Sequence, residues 1–172
     1  MNRCAFCCVL ALLLGASAPS AHAAVACEGF KWNVADVRTL FAGKAASVTA
    51  AREVASAPVI ETGRLYALGL VPQEDVRFAL SPAKMMLADG ASAGLVRLHV
   101  ERAGTYRIAV DVPFWIDVVA QGQALASQDF NGDPSCSAPR KIVVYTLPAG
   151  DLLLQFSGHA GESVRATVTA VP

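Results

Sequence analysis

Three polar residues at alternate positions, Asp129, Asn131 and Asp133, stand just before a cysteine and could bind a ligand. This spacing supplies the first three ligands of an EF-hand-type calcium loop, which also needs a Gly next and a bidentate Glu at position 12. Here Pro134 stands in place of that Gly and Arg140 in place of the Glu, so the calcium shell would be incomplete. Two other interpretations remain open, a recognition loop for a polar ligand and a polar turn tethered by a disulfide.

The segment GASAG, residues 90–94, matches the G-x-S-x-G nucleophile elbow of hydrolases. Asp117 and His159 follow Ser92 in the chain order of an α/β-hydrolase triad. That elbow needs a helix after the serine, whereas the next residues, LVRLHVE, alternate as a strand does. We therefore expect Ser92 to lie in a loop of small residues, and we predict no catalytic residue.

Metal chemistry would depend on the histidines that follow residue 23, which are His99 and His159. Cupin-type iron and zinc sites use an H-x-H pair on one strand together with a carboxylate. The sequence contains no H-x-H pair, and its two histidines are far apart along the chain. The sequence therefore predicts neither a metal site nor another cofactor.

The first 23 residues have the three parts of a secretory signal peptide. Arg3 gives a positive start, residues 4–14 are apolar, and Ala21-His22-Ala23 fits the small-x-small cleavage pattern. A lipoprotein signal is the alternative, because Ala24-Val25-Ala26 precedes Cys27, but the usual Leu is missing. We expect cleavage after residue 23, export to the periplasm or the medium, and no membrane span, since a span takes about 20 apolar residues.

Cleavage leaves two of the five cysteines, Cys27 and Cys136, because the other three lie in the signal. In an oxidising compartment these two most simply form one disulfide. The chain has 14 basic and 14 acidic residues, so loss of Arg3 gives 13 against 14 and a formal charge of −1. A near-neutral chain without a basic run argues against nucleic acid as a partner.

From Gly63 onward, apolar and polar residues alternate in short segments separated by turn residues, which is typical of β-strands. In TYRIAVDV, for example, Tyr106, Ile108 and Val110 share one face and Arg107 lies on the other. The candidate strands are LYALGL, VRFAL, LVRLHVE, TYRIAVDV, FWIDVVA, QALASQD, KIVVYTL, LLLQF and VRATVTAV.

About nine short strands with short gaps predict an all-β fold, a mainly antiparallel and jelly-roll-like β-sandwich; a closed barrel is the alternative. In NVADVRTLFAG, apolar residues at helical spacing between Asn33 and Gly43 predict one short N-terminal helix at an end of the sandwich. The predicted organisation is a signal peptide over 1–23, helix and connecting segment over 24–62, and a β-sandwich core over 63–172.

The segment PFWIDVVAQG places Phe114, Ile116 and Val118 on one face, so Trp115 and Asp117 point to the other. An outward Trp beside a carboxylate is typical of a platform that stacks on a sugar or a peptide. The other interpretation is that the N-terminal helix or the disulfide loop covers Trp115.

The motifs G-T-Y-R at 104–107, W-I-D-V-V at 115–119, a cysteine loop followed by R-K at 140–141, and L-P-A-G at 147–150 carry a family resemblance. From about Gly63 onward, the chain resembles small secreted proteobacterial proteins that are sometimes labelled homogentisate 1,2-dioxygenase. The label implies an iron-dependent oxygenase with a His/His/Glu centre, and this sequence lacks that ligand pattern. A weaker similarity connects the strand–turn rhythm to pre-peptidase C-terminal and carbohydrate-binding sandwich modules.

These observations predict a non-catalytic, periplasmic or secreted binding or accessory domain. Its partner would be a cell-envelope component or a small polar ligand. A metal-dependent oxygenase of the homogentisate 1,2-dioxygenase type, or a small hydrolase, is the alternative. The predicted ligand-binding residues are Trp115, Asp117, Asp129, Asn131, Asp133, Arg140 and Lys141.

Overall fold

The computed structural model describes residues 27–84 and 90–171, and the predicted signal peptide lies outside them. This part of the chain is mostly β, with one helix, α1 (Ala35–Ala42). No helix within it is long and apolar enough to cross a membrane. The strands are β1 (Ala46–Thr49), β2 (Val59–Glu61), β3 (Leu65–Gly69), β4 (Val71–Pro72), β5 (Ser92–Val100), β6 (Gly104–Val110), β7 (Trp115–Ala120), β8 (Gln123–Leu125), β9 (Asp129–Gly132), β10 (Lys141–Leu147), β11 (Gly150–His159) and β12 (Ser163–Ala170).

The strands form two mixed sheets. Sheet A has the order β1-β3-β12-β6-β10-β9, and sheet B has the order β2-β5-β11-β7-β8, with β4 also paired to β5. Within the described residues the pairings are antiparallel except for two parallel ones, which join β1 to β3 and β2 to β5. The expectation of a mainly antiparallel arrangement missed both parallel pairings. They are made by strands of four and three residues in the segment 24–62, which are too short to show a period.

Side chains of both sheets pack into one apolar core, and the alternation read from the sequence is confirmed there. On β6, Tyr106, Ile108 and Val110 are buried in this core, whereas Arg107 between them is not part of it. Phe114, which precedes β7, and Ile116 and Val118 on β7 also point into the core. The strands whose ends surround this core therefore set the positions of the polar side chains described below.

The helix α1 covers the outer face of sheet A, and not an end of the sheets as expected. Its Val37 and Phe41 pack with Leu65, Ala109 and Ile142, which alternate along their strands with residues of the main core. The N-cap is Val34 and not the expected Asn33, whose side-chain oxygen still accepts a hydrogen bond from the N–H of Ala35 at 2.9 Å. Gly43 ends the helix, as predicted.

The segment VRFAL, residues 76–80, was predicted as a strand and instead lies over the outer face of sheet B. Together with residues 81–84, which follow it, we call it the strap. Val76 packs on that face together with Phe78 and Leu80, so the alternation is real. The strap joins no sheet: Arg77 makes one isolated parallel bridge with Glu53, its N–H donating to the Arg52 carbonyl, and the residues after Phe78 bond a side chain. The buried Gln155 amide accepts hydrogen bonds from the N–H groups of Ala79 and Leu80 and donates one to the carbonyl of Leu80. A local pattern could not reveal this partner, which lies 75 residues away.

Candidate binding cleft

Strand β9 turns its polar side chains toward the N-terminal segment. Asp129 and Asn131 lie opposite Val144 and Ile142 of β10, and the latter packs on the outer face of sheet A. Residues directly opposite in an antiparallel pair point to the same side of a sheet. The alternating acceptors of the DFNGD segment therefore line the outer face, spaced at about 7 Å along the strand.

These acceptors bind the chain over residues 29–31. Asn131 Oδ1 accepts the N–H of Lys31 at 3.0 Å, and Asp133 Oδ2 accepts the N–H of Gly29 at 3.0 Å. The Lys31 ammonium donates to Asp129 Oδ1 at 2.9 Å. A side chain at Gly29 would not fit, because a Cβ there would come within 2.8 Å of Asp133 Cγ. We call this arrangement of residues 27–31 on β9 the N-terminal clamp.

Asp133 also closes the turn that follows β9. Its Oδ1 accepts hydrogen bonds from the hydroxyl and the N–H of Ser135, at 2.6 and 2.9 Å. The Ser135 hydroxyl, then the Ser135 and Gly29 amides, lower the pKa of the Asp133 carboxyl below its ordinary value. Arg140 donates to the Pro134 carbonyl at 2.6 Å and so joins the two ends of the loop.

Cys27 and Cys136 form a disulfide, as predicted, with their Cα atoms 4.8 Å apart. The bond ties the N-terminal clamp to the loop after β9, and Cys136 is fully buried. The clamp is therefore held by one covalent bond and by the acceptors of β9.

The opposite face of β9 carries Phe130, which is 64% exposed. Phe130 lies opposite Val143, a residue of the main core, so its side chain is on the inner side of sheet A. In the part of the chain that the structure describes, β9 is an edge strand of sheet A, so no further strand of that sheet lies beyond this ring. An exposed aromatic ring at a sheet edge is a candidate contact for a ligand.

Phe130 lines a cleft of about 210 Å³ between the edges of the two sheets, which we call the Trp115 cleft. Strand β7 of sheet B, strands β9 and β10 of sheet A, and the end of the strap contribute its walls. Its lining residues are Lys84, Trp115, Ile116, Ser127, Phe130, Lys141, Val143 and Tyr145.

Lys141 reaches from sheet A to sheet B at the end of the core. It shares a face of β10 with Val143 and Tyr145, which are in the core, and it is the first residue of that strand. Its ammonium donates a hydrogen bond to the Phe114 carbonyl and lies 5.4 Å from the centre of the Trp115 ring. Burial lowers the pKa of the Lys141 ammonium, the nearby Lys84 lowers it further, and Asp117 acts in the opposite direction.

Asp117 positions two walls of the cleft at once. Its Oδ1 accepts the indole N–H of Trp115 at 2.9 Å, and its Oδ2 accepts the N–H of Ala83 at 3.2 Å. The second bond holds the end of the strap, where the Lys84 ammonium lies 5.9 Å from the centre of the Trp115 ring. Asp117 itself is buried, so its charge faces Trp115 and the strap, not solvent. The partly buried Trp115 ring is thus flanked by two lysines, and α1 lies on the other sheet.

Tyr145 lines the cleft from the core side. Its hydroxyl is buried and donates to the Ile116 carbonyl at 2.9 Å, a bond that joins the two sheets. Burial, and to a lesser degree the Asp117 carboxylate, raise the pKa of the Tyr145 hydroxyl above its ordinary value. The group therefore stays neutral and serves as a fixed wall of the cleft.

The structure places Ser92 within strand β5, where it is buried, and not in the expected loop. A nucleophile elbow needs a sharp turn between a strand and a helix, which this segment does not form. Asp117, the second member of that pattern, is bonded to Trp115 and Ala83. Within residues 27–84 and 90–171, no group of three or more His, Cys, Asp and Glu side chains could hold a metal ion.

The predicted site residues thus fall into three groups. Trp115, Asp117 and Lys141 meet at the cleft. Asp129 and Asn131 of β9, with Asp133 directly after it, belong to the N-terminal clamp, and Arg140 closes the loop between these regions. The comparisons with known proteins add no assignment, since no protein-family model and no curated protein matches the chain.

Sequence reasoning missed Lys84, Phe130 and Tyr145. Phe130 could have been found by extending the alternation beyond Asp129, because the residue between Asp129 and Asn131 must point away from both. Lys84 had no such signal, since only the strap and its bond to Asp117 bring it to Trp115.

Proposed function

We propose that the chain is an exported, non-catalytic binding domain whose ligand site is the Trp115 cleft. The observation that carries this proposal is the lining of the cleft: an oriented Trp ring, an exposed Phe ring and two lysines meet in one concave place. Binding sites are concave, are lined by aromatic and apolar groups, and carry a few oriented polar groups.

The architecture that we propose is a two-layer sandwich of the jelly-roll type, supported by the single core between sheets A and B. Export to the periplasm or the medium is supported by the signal-like start of the sequence and by the disulfide between Cys27 and Cys136. The same features fit the resemblance to small secreted proteobacterial proteins. Mass spectrometry of the exported protein tests cleavage, and we expect the intact mass of a chain that starts at Ala24.

The predicted recognition loop is divided between two roles in this proposal. Lys141 and Phe130 contact the ligand, because both line the cleft. Asp129, Asn131 and Asp133 position β9, because their oxygens already accept hydrogen bonds from residues 29–31. Asp117 is a positioning residue for Trp115 in the same way.

The two tryptophans of the chain provide a test of this site. Trp32 lies near the N-terminal clamp, where the guanidinium of Arg107 is 5.5 Å from its ring centre, and serves as the internal reference. We expect that a panel of sugars, amino acids, short peptides and small carboxylates, titrated into ¹⁵N-labelled protein, contains a class that shifts the indole N–H signal of Trp115 and not that of Trp32. A Trp115→Phe variant assigns the signal.

The proposal fails if every class leaves the Trp115 signal unmoved, or if both indole signals move together. Metal analysis of the purified protein tests the oxygenase alternative in parallel. Iron bound at one equivalent per chain would favour that alternative over a non-catalytic domain.

A further inference from the structure

The Trp115 cleft carries an excess of positive charge. Lys84 and Lys141 both bring an ammonium to within 6 Å of the Trp115 ring centre. Within residues 27–84 and 90–171, the carboxylate beside that ring is Asp117, which already accepts two hydrogen bonds from the protein. Since Asp117 compensates one positive charge, the second has no carboxylate partner among the described residues that line the cleft.

The two ammonium groups also retain donors. An ammonium has three N–H donors, and Lys141 uses one of them on the Phe114 carbonyl. Lys84 is exposed, and within the described residues its ammonium contacts only the Trp115 ring. Both lysines line the same cleft, and the charge of Lys84 acts on Lys141. An anion bound in that cleft would relieve this repulsion and could accept hydrogen bonds from the free donors.

Apart from Ser127, the rest of the cleft is mostly apolar. Ile116, Val143 and the rings of Phe130 and Tyr145 line it, and the Tyr145 hydroxyl is used on the Ile116 carbonyl. Its volume of about 210 Å³ is below the roughly 300–1,000 Å³ of sites for drug-sized ligands. The space therefore suits a single ring or the end of one chain, and not an oligosaccharide.

We infer that the ligand of the Trp115 cleft is a small carboxylate that carries an apolar group, with the carboxylate between Lys84 and Lys141 and the apolar group against Phe130. The inference rests on the proposed binding function, and it specifies the class of ligand. Charge complementarity selects the anion, and the apolar walls select an alkyl or aryl carboxylate over acetate or inorganic phosphate.

Pairs of probes that differ only in charge test this inference. Benzoate and hexanoate supply the aryl and alkyl forms, benzamide and hexanamide are their neutral counterparts, and acetate lacks the apolar group. We expect both acids to shift the Trp115 indole signal, with dissociation constants on the order of 1 mM for ligands of this size. The amides and acetate should bind at least about tenfold more weakly, because each lacks one of the two contacts.

Lysine variants locate the carboxylate. Lys141→Met keeps the length of the side chain and removes its charge, and it should weaken benzoate binding at least about tenfold, since Lys141 is partly buried. Lys84→Met should weaken binding about twofold to fivefold, because the exposed ammonium is screened by solvent. Lys44→Met, a change of an exposed lysine outside the cleft, is the matched control and should leave affinity unchanged.

Each result separates this inference from the proposed function. If the amides shift Trp115 as strongly as the acids, the cleft binds ligands but the choice of an anion is wrong. If Lys84→Met binds benzoate like the parent protein, the placement of the carboxylate is wrong, whatever the folding of Lys141→Met. If the acids leave Trp115 unmoved while another class shifts it, the inference falls and the binding function stands.

Discussion

The two sides of β9, together with Asp133 directly after it, differ in the partners that their side chains find. On the outer face, Asp129, Asn131 and Asp133 find partners in residues 29–31, so their polar oxygens are satisfied within the chain. On the inner face, Phe130 leaves much of its ring in solvent beside two lysines that retain donors. A polar side chain whose partners are supplied by its own fold stabilises that fold. A cleft with unused donors and an exposed ring can instead gain contacts from a ligand.

The two regions therefore differ in the process that they favour, which is folding for the clamp and ligand binding for the cleft. The clamp contributes when the chain folds, because its hydrogen bonds and the disulfide hold the first described residues on sheet A. The cleft keeps an ammonium whose pKa is lowered by burial and by a like charge, which costs stability until an anion binds. Substitutions in the clamp should thus change the free energy of unfolding, and substitutions in the cleft should change the affinity for the ligand.

The largest effect is expected for removal of the disulfide by the double change Cys27→Ala and Cys136→Ala. The bond closes a span of 109 residues, and the chain-entropy model gives about 4–5 kcal/mol for a span of that length. The free energy of unfolding, measured with urea, should be lower in the double variant by this amount. The benzoate affinity measured under native conditions should remain that of the parent protein, since neither cysteine lines the cleft.

Reduction of the parent protein is the control, because it breaks the bond without changing a side chain. The reduced protein and the double variant should unfold at similar urea concentrations. A double variant that unfolds like the oxidised parent would show that the remaining contacts of the clamp suffice to hold it.

The sequence predicts the strands better than it predicts the partners of the strands. Alternation identified the inward side chains of β5, β6 and β7 correctly, because burial on one face imposes period two on each strand by itself. The same alternation in VRFAL was misread as a strand, since its backbone makes one isolated bridge, at Arg77, and then bonds the Gln155 side chain. Pairings such as β1 with β3 depend on contacts between distant segments, which no local pattern records.

For the same reason, only some of the residues that surround the cleft could be named from the sequence. Trp115 and Asp117 were found because they share one face of β7, and Lys141 because it lies beside the loop. Lys84 reaches the site only through a bond between Ala83 and Asp117, so its sequence neighbours carry no signal. The polar residues of the loop were predicted as ligand contacts, and the structure places their oxygens on a segment 100 residues earlier in the chain.

A pH-dependent effect of intermediate size is expected from Asp133→Asn. The pKa of Asp133 is lowered in the folded protein from 3.8, so the ionised group adds stability above that pH, and this stability is lost as the pH falls through the folded value. The variant cannot ionise and should lose less stability than the parent on acidification. Urea midpoints measured at a series of acidic pH values provide the comparison.

Glu101→Gln is the matched control, since Glu101 is exposed and lies outside the clamp. Its pH dependence should follow that of the parent protein. The lowered pKa of Asp129 persists in Asp133→Asn, so the acid loss is reduced and not abolished. If the urea midpoint of Asp133→Asn depends on pH in the same way as that of the parent protein, the Asp133 charge has no stabilising role.

The smallest effect on folding is expected for Phe130→Thr, which tests the inner face of β9. The ring is 64% exposed and threonine keeps a high strand preference, so the free energy of unfolding should change by no more than about 0.5 kcal/mol. Covering about 50 Å² of this ring with a ligand contributes roughly 1 kcal/mol, so benzoate should bind about fivefold more weakly to the variant.

Val59→Thr is the control, because Val59 is 55% exposed on β2 and lies outside the cleft. Both its stability and its benzoate affinity should match those of the parent. A large loss of stability in Phe130→Thr would assign the ring to the fold, and unchanged affinity in a stable variant would remove it from the cleft.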